Sequence, residues 1–277
     1  MNRIEGRYIS LLTDFGFMRI FGTKPNKDLL INFLNSLFEG FQVIKDVKYL
    51  NSEHVGDVFA ERKPIFDVYC ENEKGEKFIV EMQNASIFPI CEDAPKGADW
   101  NFKLDHVYIV ALLNFDLEVE AFDKNDINHD VGLLDKKTHK VFNDKLSFKY
   151  VEIAKFDKTE DELVTLYDKW LYVLKNLSRL DERPAALKEK VFTKLFEEAE
   201  IAKFTPTELK EYEDSLKAYR DIKNSIDTAL EKGREEGRAE SKNLKVIQIA
   251  KKMLAAGMDI DTIINMTDLS KSEIEKL

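Results

Sequence analysis

The segments IFDVYC (65–70) and KFIVEMQ (77–83) decide the fold, because they predict the two strands of one β-hairpin. Both are short, mostly apolar runs of strand length. The three residues 73–75 between them end in glycine, the residue that such a loop favours at its left-handed position. A loop of this length sets Asp67 directly opposite Glu81 on the neighbouring strand.

Strand alternation places the polar side chains of this hairpin together. Asp67 lies on one face of the first strand, and Glu81 and Gln83 share the corresponding face of the second. Two facing carboxylates with an amide beside them predict a site for a divalent cation. Acidic side chains on a hairpin face are also often simply solvated. Both strands are mostly apolar on both faces, however, which favours covered strands, where a carboxylate pair needs a cation or hydrogen bonds.

Five further segments carry a family likeness, in this order along the chain: TDFGFMRIFG (13–22), KDLLINFLN (27–35), FIVEMQ (78–83), IVALLNF (109–115) and LKAYRD (216–221). With Asp67 and the pair Glu81-x-Gln83, they resemble the recombination-promoting nuclease / putative transposase branch of the PD-(D/E)XK nucleases. Glutamine stands where the wider signature has lysine, as it does in that branch. Each segment is weak alone, but their order and spacing span nearly the whole chain.

The resemblance implies an α/β fold with a restriction-endonuclease-like core, in which helices flank a mixed central sheet, followed by an α-helical C-terminal region. It implies a metal-dependent DNA endonuclease associated with recombination or mobile elements. The expected cofactor is Mg²⁺, with Mn²⁺ as a substitute, and the expected partner is DNA. Asp67, Glu81 and the backbone carbonyl of Met82 would be the ligands of the metal ion.

Two further residues receive roles from the resemblance. Gln83 would donate a hydrogen bond at the position where lysine otherwise stabilises developing negative charge. Asp14 would be an accessory acid from the first helix. An acid at a helix N-terminus is also favoured by the helix dipole alone, so both interpretations of Asp14 stay open.

The chain departs from its relatives after the Glu-x-Gln motif, where they continue into an aromatic and basic helix. Pro89, Pro95 and Gly97 interrupt the stretch 84–106, so no useful helix fits before Pro95. Either the site is more open, or the protein is a catalytically inactive member of the fold that acts as an interaction module. RNA as the substrate also stays open.

Composition limits the remaining function classes. The chain has 277 residues, 44% of them hydrophobic and 34% charged, with a net charge of −10, which argues against a broadly cationic nucleic-acid binder. It has no Gly-rich phosphate loop, so no nucleotide cofactor is expected, and no zinc-like grouping of its His and Cys residues. The sequence shows no signal-like or membrane-spanning segment, so no membrane contact is expected. It has only two cysteines, which gives no disulfide framework, and it therefore predicts a cytoplasmic protein.

The periodicity predicts three regions: a nuclease-like core (1–155), a helical region ending in a long helix (156–232), and a charged hinge with a small helical module (233–277). The core is expected to contain a helix after Asn26 and strands over 43–50, 107–115, 131–134 and 141–153. A capping box at Thr205 and Glu208 predicts the start of the long helix. The charged stretch 233–240 indicates an exposed helix or a hinge.

The last helices allow two interpretations. Short helices joined in this way are typical of a helix-turn-helix that binds DNA. The final helix carries Glu273 and Glu275 against Lys271 and Lys276, with no Arg, Asn or Gln. This balance favours a small packing module over DNA recognition, and it leaves open a homo-oligomer formed through the C-terminal helices.

Overall fold

A computed structural model describes residues 6–50, 68–83, 106–117, 119 and 122–277 of the chain. The chain divides into two compact units, Met1–Ile222 and Lys223–Leu277. Asp67 and the stretch after Gln83, where the covering helix is predicted to be missing, lie outside the described residues.

The helices and strands of the first unit follow one another in the order expected for an α/β domain. In chain order they are α1 (Asp14–Phe21), α2 (Lys27–Leu37), β1 (Val47–Tyr49), β2 (Val68–Asn72), β3 (Lys77–Gln83), β4 (Val107–Leu113), β5 (Asn128–Leu134), β6 (Val141–Glu152), α3 (Leu166–Asn176), α4 (Lys190–Glu198) and α5 (Pro206–Ala255), the last of which continues into the second unit.

Six strands of the described residues form one mixed sheet in the order β1-β2-β3-β4-β6-β5. The hairpins β2–β3 and β5–β6 are antiparallel, and β4 pairs in parallel with both β3 and β6. All of β4 after Val107 is buried, which confirms the prediction of a central strand in this apolar run. The sheet with its helices and the helical region that follows is the predicted α/β architecture.

The main core lies on one face of the sheet, which we call the core face. The helices α1 to α4 pack there, with Trp170 of α3 fully buried among aromatic side chains of α1, α2 and α4. The Trp170 indole N–H donates a hydrogen bond to the Asn32 side chain at 2.8 Å, which satisfies its only polar group in the core.

The strand predicted over 43–50 is shorter in the structure and runs only from Val47 to Tyr49. The side chain of Asn35 explains the difference, because it bonds both backbone groups of Ile44. Asn35 Nδ2 donates to the Ile44 carbonyl at 2.8 Å, and the Ile44 N–H donates to Asn35 Oδ1 at 2.7 Å. These bonds replace the ladder partners that a strand would supply here.

The long helix α5 begins where the sequence predicts. The Thr205 N–H and hydroxyl donate to the Glu208 carboxylate at 2.8 Å, and the Glu208 N–H donates back to the Thr205 hydroxyl at 3.3 Å. These bonds, with Arg19, lower the pKa of Glu208 to about 2. The charged stretch 233–240 is helical and is part of α5.

The second unit contains the end of α5 together with α6 (Ile260–Thr267) and α7 (Lys271–Ile274). Ala250, Ile263, Leu269 and Ile274 form its small buried core. Gly257 has a positive φ of 77° and ends α5, and its N–H donates to the Leu254 carbonyl at 2.9 Å. None of the helices in the described part of the chain contains an apolar stretch of the length that a membrane span requires.

Candidate functional site

The β2–β3 hairpin has the register from which the paired carboxylates are predicted. Val68 lies opposite Val80, and Cys70 lies opposite Phe78. Gly75 adopts a positive φ of 81° in the loop, the conformation that the sequence predicts for a glycine here. The predicted pairing of Asp67 with Glu81 would continue this register, but Asp67 lies outside the described residues and the pair stays a prediction.

The two faces of the hairpin differ as strand alternation requires. On the core face, Val68, Val80 and Met82 are buried in the main cluster. The opposite face, which we call the second face, carries a smaller cluster around Ile79 and Ile109. Glu81 follows the alternation of Ile79 and is half-buried on the second face.

The Met82 side chain packs in the core face, so only its backbone could take part in a site on the second face. Its predicted role as a carbonyl ligand is compatible with this orientation and stays a prediction. Gln83 is the last residue of β3, and its side chain is not among those described.

The sheet brings together, on the second face, residues that the sequence does not connect. Glu81 lies beside Ala111 of β4, and Ala111 lies beside Tyr150 of β6. Tyr150 is in turn opposite His129 of β5. Directly paired residues share a face, so these four side chains form one row across four strands. Ala111 has the smallest side chain of β4 and is itself buried.

A buried polar network lies next to this row. Glu152 is fully buried and His129 is 7% exposed, and the His129 Nε2 lies 2.7 Å from Glu152 Oε1. Lys155 Nζ donates to the same oxygen at 2.8 Å, and the Leu117 N–H donates to Oε2 at 2.5 Å. The ring of Phe122 stacks on His129 with its centroid 4.0 Å away. The network therefore ties the segment after β4 to the ends of β5 and β6.

The charge of Glu152 is stabilised by these partners. Burial alone raises the pKa of its carboxyl group, but hydrogen bonds from Lys155, the Leu117 N–H and His129 outweigh burial and hold the pKa below the usual value. The carboxylate is therefore the ionised centre of the network.

Asp14 stands in the first turn of α1 and is exposed to solvent. Thr13 caps this helix by accepting the Gly16 N–H at 3.1 Å, and the Phe15 N–H donates to the Ser215 hydroxyl of α5 at 3.1 Å. The buried residues of α1 belong to the core-face cluster, whereas Glu81 is on the second face. This is the environment of a helix N-terminal acid, and the accessory catalytic role of Asp14 stays a prediction.

Within the described residues, no group of three or more His, Cys, Asp and Glu side chains is arranged to hold a metal ion. Asp67, one of the two predicted carboxylate ligands, is not among these residues. The donors predicted for the site, two carboxylates and a carbonyl, are the hard oxygen ligands that suit Mg²⁺.

A mixed sheet with an acidic hairpin at its centre is typical of the PD-(D/E)XK nucleases. Residues 11–229 match the model of the PD-(D/E)XK nuclease family transposase. Because this match covers most of the chain, the chain belongs to that family, and its core is restriction-endonuclease-like. Residues 243–277 match the model of the C-terminal HTH domain of the Rpn/YhgA-like nuclease family. No curated protein and no solved structure matches the chain.

The second match corrects the preference for a packing module at the C-terminus. That preference came from the balanced charge of the final helix, whereas a helix-turn-helix is defined by how its helices pack. Here Asp268, at a positive φ of 57°, ends α6, and Ser270 caps α7 by accepting the Glu273 N–H. Ile263 and Ile274 of the two helices are both buried in the core of this unit.

Proposed function

We propose that this protein is a metal-dependent DNA endonuclease, associated with recombination or mobile elements, whose centre is the β2–β3 hairpin. Asp67, Glu81 and the Met82 carbonyl would hold Mg²⁺, and Mn²⁺ could replace it. The observation that carries the proposal is the position of Glu81, half-buried on the second face, in a hairpin that pairs Val68 with Val80. One further pair in that register would set Asp67 opposite Glu81. Membership of the nuclease family supports the same reaction.

Each residue of the site would have a distinct role in phosphodiester hydrolysis. The bound cation would polarise a phosphoryl oxygen and lower the pKa of an attacking water. The carboxylates of Asp67 and Glu81 would hold it at the sheet face, and the Gln83 amide would donate a hydrogen bond to an oxygen of the reacting phosphate. Ala111, the residue paired with Glu81, has the smallest side chain of β4 and would obstruct a phosphate there less than any other residue of that strand.

Nicking of supercoiled plasmid by the purified full-length protein tests the proposal. We expect cleavage that requires Mg²⁺ and that Glu81→Gln and Asp67→Asn each abolish, because each removes a charged ligand. Glu71→Gln is the matched control, since Glu71 lies on the same hairpin opposite Lys77. If folded Glu81→Gln protein cleaves at the wild-type rate, the assignment of the site is wrong.

The same assay separates the proposal from its alternatives. A folded wild-type protein without Mg²⁺-dependent cleavage would support a catalytically inactive member of the fold that acts as an interaction module. Cleavage of RNA in preference to DNA would contradict DNA as the substrate. The match of residues 243–277 to an HTH domain supports DNA.

A further inference from the structure

One stretch of α5 carries a continuous basic face. Arg234, Arg238, Lys242 and Lys245 recur at intervals of four, four and three residues, and all four are exposed. At about 100° per residue they fall within an arc of about 80° on the helix surface. We call these four residues the basic face.

The basic face is not used for packing within its own unit. The apolar residues of α5 in this unit, Val246, Ile247 and Ala250 among them, contact the small core with α6 and α7. The helical periodicity places these apolar residues on a different side of α5 from the basic face. The small residues Gly237 and Ser241 border the basic face, so no bulky side chain of α5 stands in front of it there.

The four cations are also available for an external partner. In the described part of the chain, none of them forms an ion pair, although the same helix has a pair between Lys232 and Glu236 at 3.9 Å. An exposed row of like charges without internal partners repels itself. A polyanion on this surface would relieve that repulsion.

The final helix of the HTH match cannot supply this charge. Lys271 pairs with Glu275 at 4.0 Å, and the Glu273 carboxylate accepts the Ser270 N–H at 2.8 Å. The second unit as a whole has ten basic and ten acidic side chains. Its positive charge is therefore concentrated on α5 and not on α7.

We propose that the basic face of α5 binds the phosphate backbone of duplex DNA and anchors the adjacent helix-turn-helix without reading sequence. This rests on the proposed function in taking DNA as the substrate. The face extends about 17 Å along the helix, enough to contact several successive phosphates. Most of the affinity of such a contact comes from released counterions, so it depends steeply on salt.

Binding of the full-length protein to a short fluorescent duplex tests this proposal. Measurement in EDTA keeps cleavage out of the readout, and salt is varied between about 50 and 200 mM. The test variant carries R234Q, R238Q, K242Q and K245Q, which keep good helix formers in place. The matched control carries K210Q, K217Q, R220Q and K223Q, which remove the same charge from exposed positions earlier in α5.

We expect the basic-face variant to bind at least about tenfold more weakly at low salt, with a salt slope smaller by about three, and the control to bind like wild type. Equal weakening of both variants would overturn the proposal, because net charge alone would then account for it. Unchanged binding of the basic-face variant would also overturn the proposal. Tighter binding of single-stranded RNA than of duplex DNA by the same face would overturn it as well.

A gain-of-binding variant makes the test independent of any loss of folding. Glu235 is exposed and directly follows Arg234, so Glu235→Gln should tighten duplex binding by about two- to threefold. No change in affinity would contradict the proposal. Glu81→Gln should bind duplex like wild type while losing cleavage, so failure of the nuclease site and failure of the basic face give different results.

Discussion

The His129 imidazole and the Glu152 carboxylate form a buried pair, with Nε2 2.7 Å from Oε1. They come from β5 and β6 and meet at the edge of the second face, beside the row that begins at Glu81. Because Glu152 also accepts from Lys155 and from the Leu117 N–H, one carboxylate organises three separate segments. The pair therefore stabilises the end of the sheet at which β3, β4 and β6 all terminate.

Glu152→Ala should lower the free energy of unfolding by about 3 kcal/mol, because it leaves Lys155 and His129 without their shared acceptor in a buried place. Urea unfolding measures the change. Asp144→Ala, at an exposed acid of the same strand, is the control and should stay within about 0.5 kcal/mol of wild type. Equal effects of the two substitutions would show that the network contributes nothing beyond surface charge.

The contribution of Glu152 should depend on pH in acid. Its pKa in the folded protein lies below the ordinary value of 4.5, so the unfolded chain takes up a proton first. The stabilisation is therefore fully present above pH 4.5 and is lost as the pH falls through the folded pKa. The difference in unfolding free energy between wild type and Glu152→Gln should be constant near neutrality and shrink below pH 4.5. A gap that widens in acid would contradict this.

Gln83→Lys should keep the fold and should not abolish the proposed cleavage. The substitution restores the charge that the wider nuclease signature has at this position, at the last residue of β3. Thermal unfolding and plasmid nicking measure the two properties. Complete loss of cleavage at unchanged thermal stability would mean that the Gln83 amide has a role that an ammonium cannot perform.

Ala111→Val should reduce cleavage more than its effect on stability explains. Ala111 lies directly beside Glu81, and two added methyl groups would fill the space proposed for the phosphate. Overpacking alone should cost about 1–3 kcal/mol. Val110→Ile is the matched control, because it adds a methylene to the same strand on the core face. If both variants cleave in proportion to their stability, the space beside Ala111 has no part in the reaction.

The sequence predicts the parts of this site that depend on local pattern. The Gly75 loop and the alternation of apolar residues predict the β2–β3 register, and the apolar run 107–115 predicts a buried central strand. The row from Glu81 to His129 needs the parallel register of β3, β4 and β6, which joins residues far apart in sequence and leaves no local signal. The same holds for Glu152, which stands among the apolar residues at the end of β6.

In the C-terminal unit the relevant residues are easy to find in the sequence, but their arrangement in space is not. The charged stretch 233–240 is visible in the sequence, but its meaning depends on whether it is helical. Once α5 is continuous, Arg234, Arg238, Lys242 and Lys245 fall on one face. The strand predicted over 43–50 is longer than the observed one, because a periodic pattern shows nothing of side-chain hydrogen bonds. The Asn35 side chain bonds the backbone of Ile44, which the pattern assigns to the strand.

A truncation after Glu231 tests the proposed division into a nuclease core with its helical region and a separate module from residue 233. The main core cluster contains no described residue after Tyr219, so the truncated chain keeps all of it. Gly233 and Gly237 each weaken the helix by about 1 kcal/mol, which makes this stretch a suitable boundary. We expect cooperative unfolding of the truncated protein and, if the C-terminal helices join two copies, a smaller oligomer by light scattering. Equal numbers of subunits per particle would remove any role of the module in assembly, whereas an insoluble product would show that it belongs to the core.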